Sequence, residues 1–402
     1  MHDGIENFSI MNFDLSSEQD QLLKSVGRVC DKIRPIEDKA YLEGSFNDQV
    51  IPIFKEANLL GLPISTKYGS GQGADLLTYL LAMERIGQEG CSLATFFSVH
   101  ISIGQKIIQE WGTEEQKQRY LPLTTTGEKI MAFGLTEPDA GSDPASMQTN
   151  FYEDGDNFIL NGNKSWISNA NIAGIITTYA KDKKDGRISA FIIDKEESPF
   201  TTQEQKHKMG LFTSDTGQIF FDNCPVPRRN LLGKRGKGLS VALSTLMNGR
   251  LSVAARCAGV IMDCLNESIQ YAKQRVTFGK PLAKQQLIQR HISKMSTLFR
   301  AARLMTFEAA TVKMRSEEEG SRALRDEADR LIAQAKYFST NAAFEVADRA
   351  IQIFGANGYS FENRPARHLC DTRVTRIYEG ANEILEQKIA VSLLGSEYSA
   401  FR

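Results

Sequence analysis

Asn157-Phe158-Ile159-Leu160-Asn161-Gly162-Asn163-Lys164-Ser165-Trp166-Ile167 is the stretch on which the fold turns. Two short apolar-rich runs, Asn157–Leu160 and Asn163–Ile167, flank an Asn-Gly pair. Asn-Gly suits the positive φ angles of a type I′ turn, so the spacing predicts a β-hairpin. The rhythm continues on both sides. Ile130–Thr136 is apolar with little charge, and Ile175–Ala180, Ser189–Ile193 and Gln218–Phe221 follow between turn residues. Residues 128–238 therefore read as a β unit.

Outside that unit the pattern becomes helical. In residues 14–127, Ser16 followed by Gln19 resembles a capping box, and Leu22, Leu23, Val26, Cys30 and Ile33 share one helical face. Pro35 is expected to end that helix. Asp75–Ile86 is Leu-rich, and a third helical pattern runs from about Ser98 to Trp111. After the β unit, Leu239–Arg275, Lys284–Arg315, Ala323–Phe354 and Asn382–Leu394 are helix candidates, and Gly355-Ala356-Asn357-Gly358 stops the third. Helices of about 30 residues exceed the globular average, so residues 239–402 should form a bundle of long antiparallel helices. The charged run Arg315–Arg330 is expected to be a solvated loop and helix entry.

Composition narrows the function classes. The chain has 402 residues, 48 basic against 49 acidic, for a net charge of −1; it is 41% hydrophobic and 24% charged. Near-zero charge removes the electrostatic case for nucleic acid or an acidic membrane. No apolar run is expected to reach the ~18–20 residues that span a bilayer. The N-terminus, MHDGIENFSIMNFDLSSEQD, has neither a signal-peptide nor an Arg-rich transit pattern, so a cytoplasmic location is the default. Cys30, Cys91, Cys224, Cys257, Cys264 and Cys370 are scattered, and reduced, mostly buried thiols are expected. His2, His100, His207, His291 and His368 lack ligand spacing, so no metal site is expected.

Two glycine-rich runs invite other readings. Gly69-Ser70-Gly71-Gln72-Gly73-Ala74 has dinucleotide-turn spacing, but no strand pattern precedes it and helix follows, so it is expected to be a loop. Gly233-Lys234-Arg235-Gly236-Lys237-Gly238 lacks the Gly-Lys-Ser/Thr ending of a phosphate loop and is expected to be a surface turn.

Four segments carry chemistry. Phe133–Asp143 runs from a strand into a turn dense in hydroxyls and small residues, able to meet a polar ring edge. Trp166-Ile167-Ser168-Asn169-Ala170 places a tryptophan, suited to a flat aromatic ligand, beside a hydroxyl. Arg275–Leu282, with Gln285 and Gln286, offers a cation, a hydroxyl and an aromatic as a clamp for pyrophosphate and adenine. In Ile377-Tyr378-Glu379-Gly380-Ala381-Asn382-Glu383-Ile384, Glu379 is either a desolvated base or an acid stabilised at a helix N-terminus.

With Gln352–Tyr359 (QIFGANGY), the segments LTEPDAGSD, WISNA, RVTFGKPL and IYEGANE resemble the acyl-CoA dehydrogenase family in order and spacing, over essentially the whole chain. The resemblance implies an α+β, mainly α fold: an N-terminal helical domain (1–127), a middle β-barrel or sandwich domain (128–238) and a C-terminal four-helix bundle (239–402). It implies FAD between the β domain and the bundle, and a homotetramer in which a neighbouring subunit completes each flavin site. By the same resemblance, Phe133, Leu135, Thr136 and Ser142 contact flavin or the substrate's pantetheine arm, and Trp166 and Ser168 border the isoalloxazine. Arg275, Phe278 and Gln286 hold the pyrophosphate and adenosine. Gln352, Ile353, Gly355 and Ala356 line the adenine side, and Ala381 and Glu383 border it. Asn248, Arg250 and Gly380 fall at the substrate site.

The implied reaction is α,β-dehydrogenation of an acyl-CoA to the trans-2-enoyl-CoA, with Glu379 taking the α-proton and flavin N5 the β-hydride. The developing enolate oxygen needs preorganised donors; the resemblance implies the Glu379 N–H and a ribityl hydroxyl. Burial should raise the Glu379 pKa above ~4.3. An electron-transferring flavoprotein as acceptor and a role in fatty acid metabolism are implied too. Some positions depart from the family pattern. Cys370 stands where many relatives have Arg, and Met247 where several have an Asp that contacts pantetheine, which leaves room for an acyl-carrier-protein thioester. Ala94 replaces the arginine of glutaryl-specific members, which disfavours a dicarboxylic substrate. Gly249 stands where isovaleryl- and long-chain-type members carry their glutamate, which leaves Glu379 as the base. Two alternatives keep the fold: an oxygen-using oxidase or hydroxylase, and a DNA-associated flavoprotein. The balanced charge and the intact Glu379 count against the second.

Overall fold

The computed structural model describes residues 14–400. The readings made at residues 1–13, including that of His2 and of the N-terminal pattern, lie outside the described residues. Helix α1 (Ser17–Glu43) starts at the expected capping box: Gln19 N–H donates to Ser16 Oγ at 3.2 Å and Ser16 N–H to Gln19 Oε1 at 3.1 Å. Pro35 does not end it. The helix continues because Ile33, Glu37, Ala40 and Tyr41 are buried beyond and around the proline, and tertiary packing outweighs the one backbone bond that proline removes. Helix α2 (Val50–Glu56), a loop that includes Gly69–Ala74, and α3 (Leu76–Gly87) follow, with Asp75 accepting the Thr78 N–H at 2.7 Å.

A longer rod comes next: α4 (Cys91–Ser98), a π-helical stretch (Val99–Gln105) and α5 (Lys106–Trp111). The absence of a spanning run, expected from the sequence, is corrected here. Cys91–Trp111 is long and apolar enough to cross a membrane, but it is the core helix of this molecule and almost wholly buried by protein. Helix α6 (Glu114–Thr125) closes the first helical set.

The strands are β1 (Ile130–Gly134), β2 (Asn150–Asp154), β3 (Asn157–Ser168), β4 (Ala173–Asp182), β5 (Ile188–Asp194), β6 (Thr201–Glu204), β7 (Thr216–Pro227) and β8 (Leu231–Leu232). They pair in the order β6-β7-β3-β2-β4-β5-β8, with β1 parallel on β4. The hairpin expected at Asn161-Gly162 is absent: β3 runs straight through both residues. Its register with β7 shifts there instead, and Asn161 Oδ1 accepts the Asn223 N–H at 2.9 Å. Gly162 (φ 144) is needed for close approach, since a Cβ there would lie 2.6 Å from Thr149 Cα. The hairpin forms earlier, between β2 and β3, around Gly155 (φ 55). On β4 and β5 successive residues face different cores. Ile176, Ala180, Phe191 and Ile193 pack inside the sheet, whereas Ile175, Tyr179, Ala190 and Ile192 pack against the helices with Ile107, Ile108 and Tyr120.

The C-terminal part holds α7 (Gly238–Gln274), the small ribbon β9 (Val276–Thr277) and β10 (Lys280–Pro281), α8 (Gln286–Glu319), α9 (Arg322–Phe354), α10 (Arg364–Thr375) and α11 (Asn382–Leu394). Helices α7, α8 and α9 pack along one another. The loop expected over Arg315–Arg330 shrinks to Gly320-Ser321, where Gly320 (φ 64) ends α8 and Ser321 caps α9. Helix α10 has no apolar periodicity to announce it. Its buried face is polar: Arg364, Arg367, His368 and Asp371. Arg364 Nε and His368 Nε2 both reach Asp263 Oδ2 at 2.8 Å, and ion pairs replace oil as the packing material. The molecule is thus mostly helical around a central sheet, the α+β, mainly α architecture read from the sequence.

Candidate active site

Between α10 and α11 the chain makes a tight turn through Glu379 (φ 53) and Gly380 (φ 100). A glutamate in the left-handed region is uncommon, and such strain collects where function requires it. Here it sends the carboxyl group inward: the residue is half-buried, but Oε2 is fully enclosed and has no hydrogen-bond partner. The turn is held by its carbonyls. Arg250 Nε on α7 donates to Glu379 O at 2.9 Å. Lys336 Nζ on α9, wholly buried, donates to Gly380 O at 2.8 Å and to Asn382 Oδ1 at 2.9 Å. The carboxyl rests on Gly249, where a Cβ would lie 2.7 Å from Glu379 Cδ and 2.9 Å from Ile103 Cγ2. Burial pushes the Glu379 pKa up, opposed by the charges of Arg256, Arg250 and Lys336. The same burial pushes Lys336 down to about 8. A carboxyl without donors is a weak structural element and a strong base, so the helix-dipole alternative falls. Helix α11 begins only at Asn382, and exposed Glu383 is its first-turn acid, behind Ala381 at the cap.

A second cluster sits where β1 and β3 end. Ser165 N–H donates to Thr136 O at 2.9 Å and ties the two strand ends together. Leu135 is buried, and Phe133 packs edge-on against Tyr179 at 5.5 Å. Trp166 (φ 60) is 59% exposed and Ser168 is half-buried beside it. Ser142 is exposed on the following loop. An exposed indole among hydroxyls fits a flat aromatic group such as a flavin ring. Asn169 Nδ2 donates to Phe96 O and Met131 O at 3.3 and 3.1 Å, which fastens this corner to the rod that carries Ile103. Glu137, in the same turn, is structural: it pairs with buried Lys164 at 2.7 Å.

The third set lies elsewhere. Arg275 caps the end of α7, Phe278 lies in the turn between β9 and β10, and Gln286 begins α8; all three are exposed, Phe278 by 96%. Gln352, Gly355 and Ala356 are exposed at the end of α9, with Ile353 buried beneath. Tyr271 stacks on Phe354 at 4.2 Å and brings the ends of α7 and α9 together, so these two sets share one end of the bundle. Asn248, one residue before Gly249, donates to Glu110 Oε1 at 3.1 Å. Beside it a cavity of about 390 Å³ is lined by Tyr79, Ser102, Lys106 and Lys313. The sequence reading missed Lys336, Asn382 and Tyr378 around Glu379. No motif marks a buried lysine inside a helix.

Family models for the N-terminal, middle and C-terminal domains of acyl-CoA dehydrogenase match residues 16–128, 132–224 and 236–394. The chain belongs to the acyl-CoA dehydrogenase family. It is 37% identical over 385 residues to an acyl-CoA dehydrogenase of Bacillus subtilis (strain 168), covering 95% of this chain and 99% of the relative. The butyryl-CoA dehydrogenase structure from Megasphaera elsdenii superimposes with a TM-score of 0.89 at 35% identity, covering 96% and 100%. A glutaryl-CoA dehydrogenase from Mycobacterium smegmatis in complex with FADH2 gives 0.88 at 28% identity, covering 96% and 97%. As an acyl-CoA dehydrogenase, the chain is an FAD-dependent oxidoreductase acting on the CH–CH group of acyl-CoA thioesters. The oxygen-using and acyl-carrier-protein alternatives are not favoured over this reading.

Proposed function

We propose that Glu379 is the base that removes the α-proton of an acyl-CoA as the α,β double bond forms. The observation that carries this reading is its enclosed, unpartnered Oε2 lying on the bare backbone of Gly249. FAD, when bound, supplies the acceptor for the β-hydrogen and its electron pair. The chain's own residues do the rest. Among the described residues no backbone carbonyl takes the Glu379 N–H, which is thus available to the thioester oxygen as negative charge develops there. Arg250 and Lys336 fix the turn, so the carboxyl is preorganised over the α-carbon. Burial excludes water and keeps the base strong enough for a weakly acidic C–H.

Trp166, Ser168, Phe133, Leu135 and Thr136 form the ring platform in this reading, with Ser142 at its loop. Arg275, Phe278, Gln286, Gln352, Ile353, Gly355 and Ala356 hold the adenosine part of a neighbouring subunit's cofactor, while Ala381 and Glu383 border the cofactor from the Glu379 turn. Asn248, Arg250 and Gly380 meet the substrate. Exposed Phe278, Leu287 and Tyr359 need a cover, which supports a homotetramer with the flavin site completed by a neighbour. An electron-transferring flavoprotein as acceptor, a role in fatty acid metabolism, a cytoplasmic location and the division at residues 127 and 238 belong to the same proposal.

Glu379→Gln is the test. The variant is expected to keep FAD and bind acyl-CoA, while anaerobic flavin bleaching slows by roughly 10³-fold or more. Bleaching at the parent rate would remove Glu379 from its role. A folded, colourless preparation that takes up no FAD would remove the cofactor-binding assignments.

A further inference from the structure

Three buried cations grip three consecutive residues at the turn that carries Glu379. Arg250 Nε holds Glu379 O, and Lys336 Nζ holds Gly380 O. The third is Arg256 on α7, 1% exposed and among the largest fully buried side chains of the molecule. Its Nη2 donates to Tyr378 Oη at 2.6 Å, and its guanidinium lies 5.0 Å from the Tyr378 ring centre. Tyr378 ends the approach from α10: its N–H donates to Val374 O at 3.2 Å, and left-handed Glu379 follows at once. Fixing the Tyr378 side chain therefore fixes the point from which the strained turn departs.

The rest of the guanidinium is idle. Nε and Nη1 are buried with no protein partner. Arg364, also buried, instead donates to Asp263, Asp38, Gln88 O and Glu89 O. A neutral side chain would serve to hold one hydroxyl without the desolvation of a charge, so idle N–H groups mark an arginine whose charge is in use. Gly249 and Arg256 share one face of α7, two turns or about 10 Å apart along the axis. Helical side chains lean toward the N-terminus, so Arg256 reaches back toward the Glu379 carboxyl that rests on Gly249. Cys91 Sγ on α4 closes the far side, 3.9 Å from Tyr378 Oη. The groups that act most on Arg256 are Tyr378, Cys91, Glu379 and Cys257. Burial keeps the tyrosine and both thiols neutral, so Glu379 is the one carboxylate among them. Arg256 is in turn the strongest of the charges that oppose the effect of burial on Glu379, ahead of Arg250 on α7 and Lys336 on α9.

We propose that Arg256 is a positioning residue for the reaction: it pins Tyr378, and with it the start of the turn that aims the Glu379 carboxyl, and it sets its positive charge beside that carboxyl. The inference rests on the dehydrogenase reading above and adds a residue to it. Without that charge, burial of Glu379 is less opposed and the carboxyl keeps its proton to higher pH.

The test reads the anaerobic flavin bleaching rate of the FAD-loaded enzyme at saturating butyryl-CoA as a function of pH. The parent defines an acid limb, where Glu379 loses its proton, and a plateau above it. Arg256→Met is expected to move the limb up by about one pH unit or more and to lower the plateau roughly tenfold, with FAD content and the half-saturating butyryl-CoA concentration unchanged. Tyr378→Phe, which keeps the charge and removes the acceptor, should lower the plateau alone. In the double variant the two plateau losses should not multiply, because one bond is removed twice. Arg256→Lys should restore the parent limb. Infrared difference spectra of the same variants without substrate, blanked with Glu379→Gln, read protonation of the carboxyl directly and should show the same shift. An unmoved limb in Arg256→Met overturns the proposal, as do plateau losses that multiply in full. If the methionine variant does not fold, Arg256→Gln takes its place under the same criteria. A parent that neither butyryl-CoA nor octanoyl-CoA bleaches at any pH sinks the dehydrogenase reading instead, and the infrared shift then decides for or against Arg256.

Discussion

Gly249 and Glu379 are one device made of two residues distant in sequence. The carboxyl lies where any side chain at Gly249 would have to go. Gly249→Ala is therefore expected to push the base aside: single-turnover flavin reduction should fall by about 100-fold, with FAD content and melting temperature little changed. Titration offers a second check. Burial raises the Glu379 pKa, so the base is protonated and idle at low pH and becomes active as pH rises through that raised value. The acid limb of the reduction rate should then lie above the ordinary glutamate range of about 4.3, and a limb at or below it would contradict the enclosed geometry. The glutamate was legible because it sits in a short motif before a glycine. Arg256 and Lys336 were not, because a cation inside a helix pattern looks like any solvated face until the neighbouring helices are in place.

Among the elements, β3 is the instructive one. Asn161-Gly162 satisfies every local rule for a turn, yet β7 and Thr149 lie alongside and take up both halves of one long strand. Since a Cβ at Gly162 would meet Thr149, Gly162→Ala should lower stability by about 2–3 kcal/mol, well beyond a turn glycine's cost, as read by chemical denaturation. The π-helical stretch Val99–Gln105 is the other. There His100 Nδ1 accepts the Met131 N–H at 3.0 Å and Nε2 donates to Thr124 O at 3.0 Å, joining the rod to β1 and α6. Burial holds the His100 pKa down at about 4. The unfolded chain therefore binds a proton between pH 6.5 and about 4 that the folded chain refuses, and stability falls as pH drops through that window. The parent should lose roughly 3 kcal/mol more than His100→Gln there. Glu37 and Glu84, pushed up to about 7 by burial, act in the opposite sense but equally in both proteins.

At the scale of the molecule, one end of the bundle is unfinished. Phe278, Leu287 and Tyr359 are 96%, 71% and 89% exposed near the residues assigned to the adenosine part. Phe278→Ser is expected to yield smaller particles by light scattering and weaker FAD retention, while the helical signal stays. A monomeric parent would contradict this. The sequence by itself determined the helical–β–helical order, the capped start of α1, the approximate extents of α7 and α9 and the motif that holds Glu379, because periodicity, capping and short motifs are local properties of a chain. It also carried the family. Tertiary structure alone decided that Pro35 lies inside a helix, that Asn161-Gly162 is strand, that α10 packs on ion pairs, and that Gly249, Arg256, Lys336 and Glu379 meet. Each of these depends on which distant surface is close enough to repay a lost backbone bond, accept a left-handed residue or desolvate a charge, and no window along the chain contains that surface.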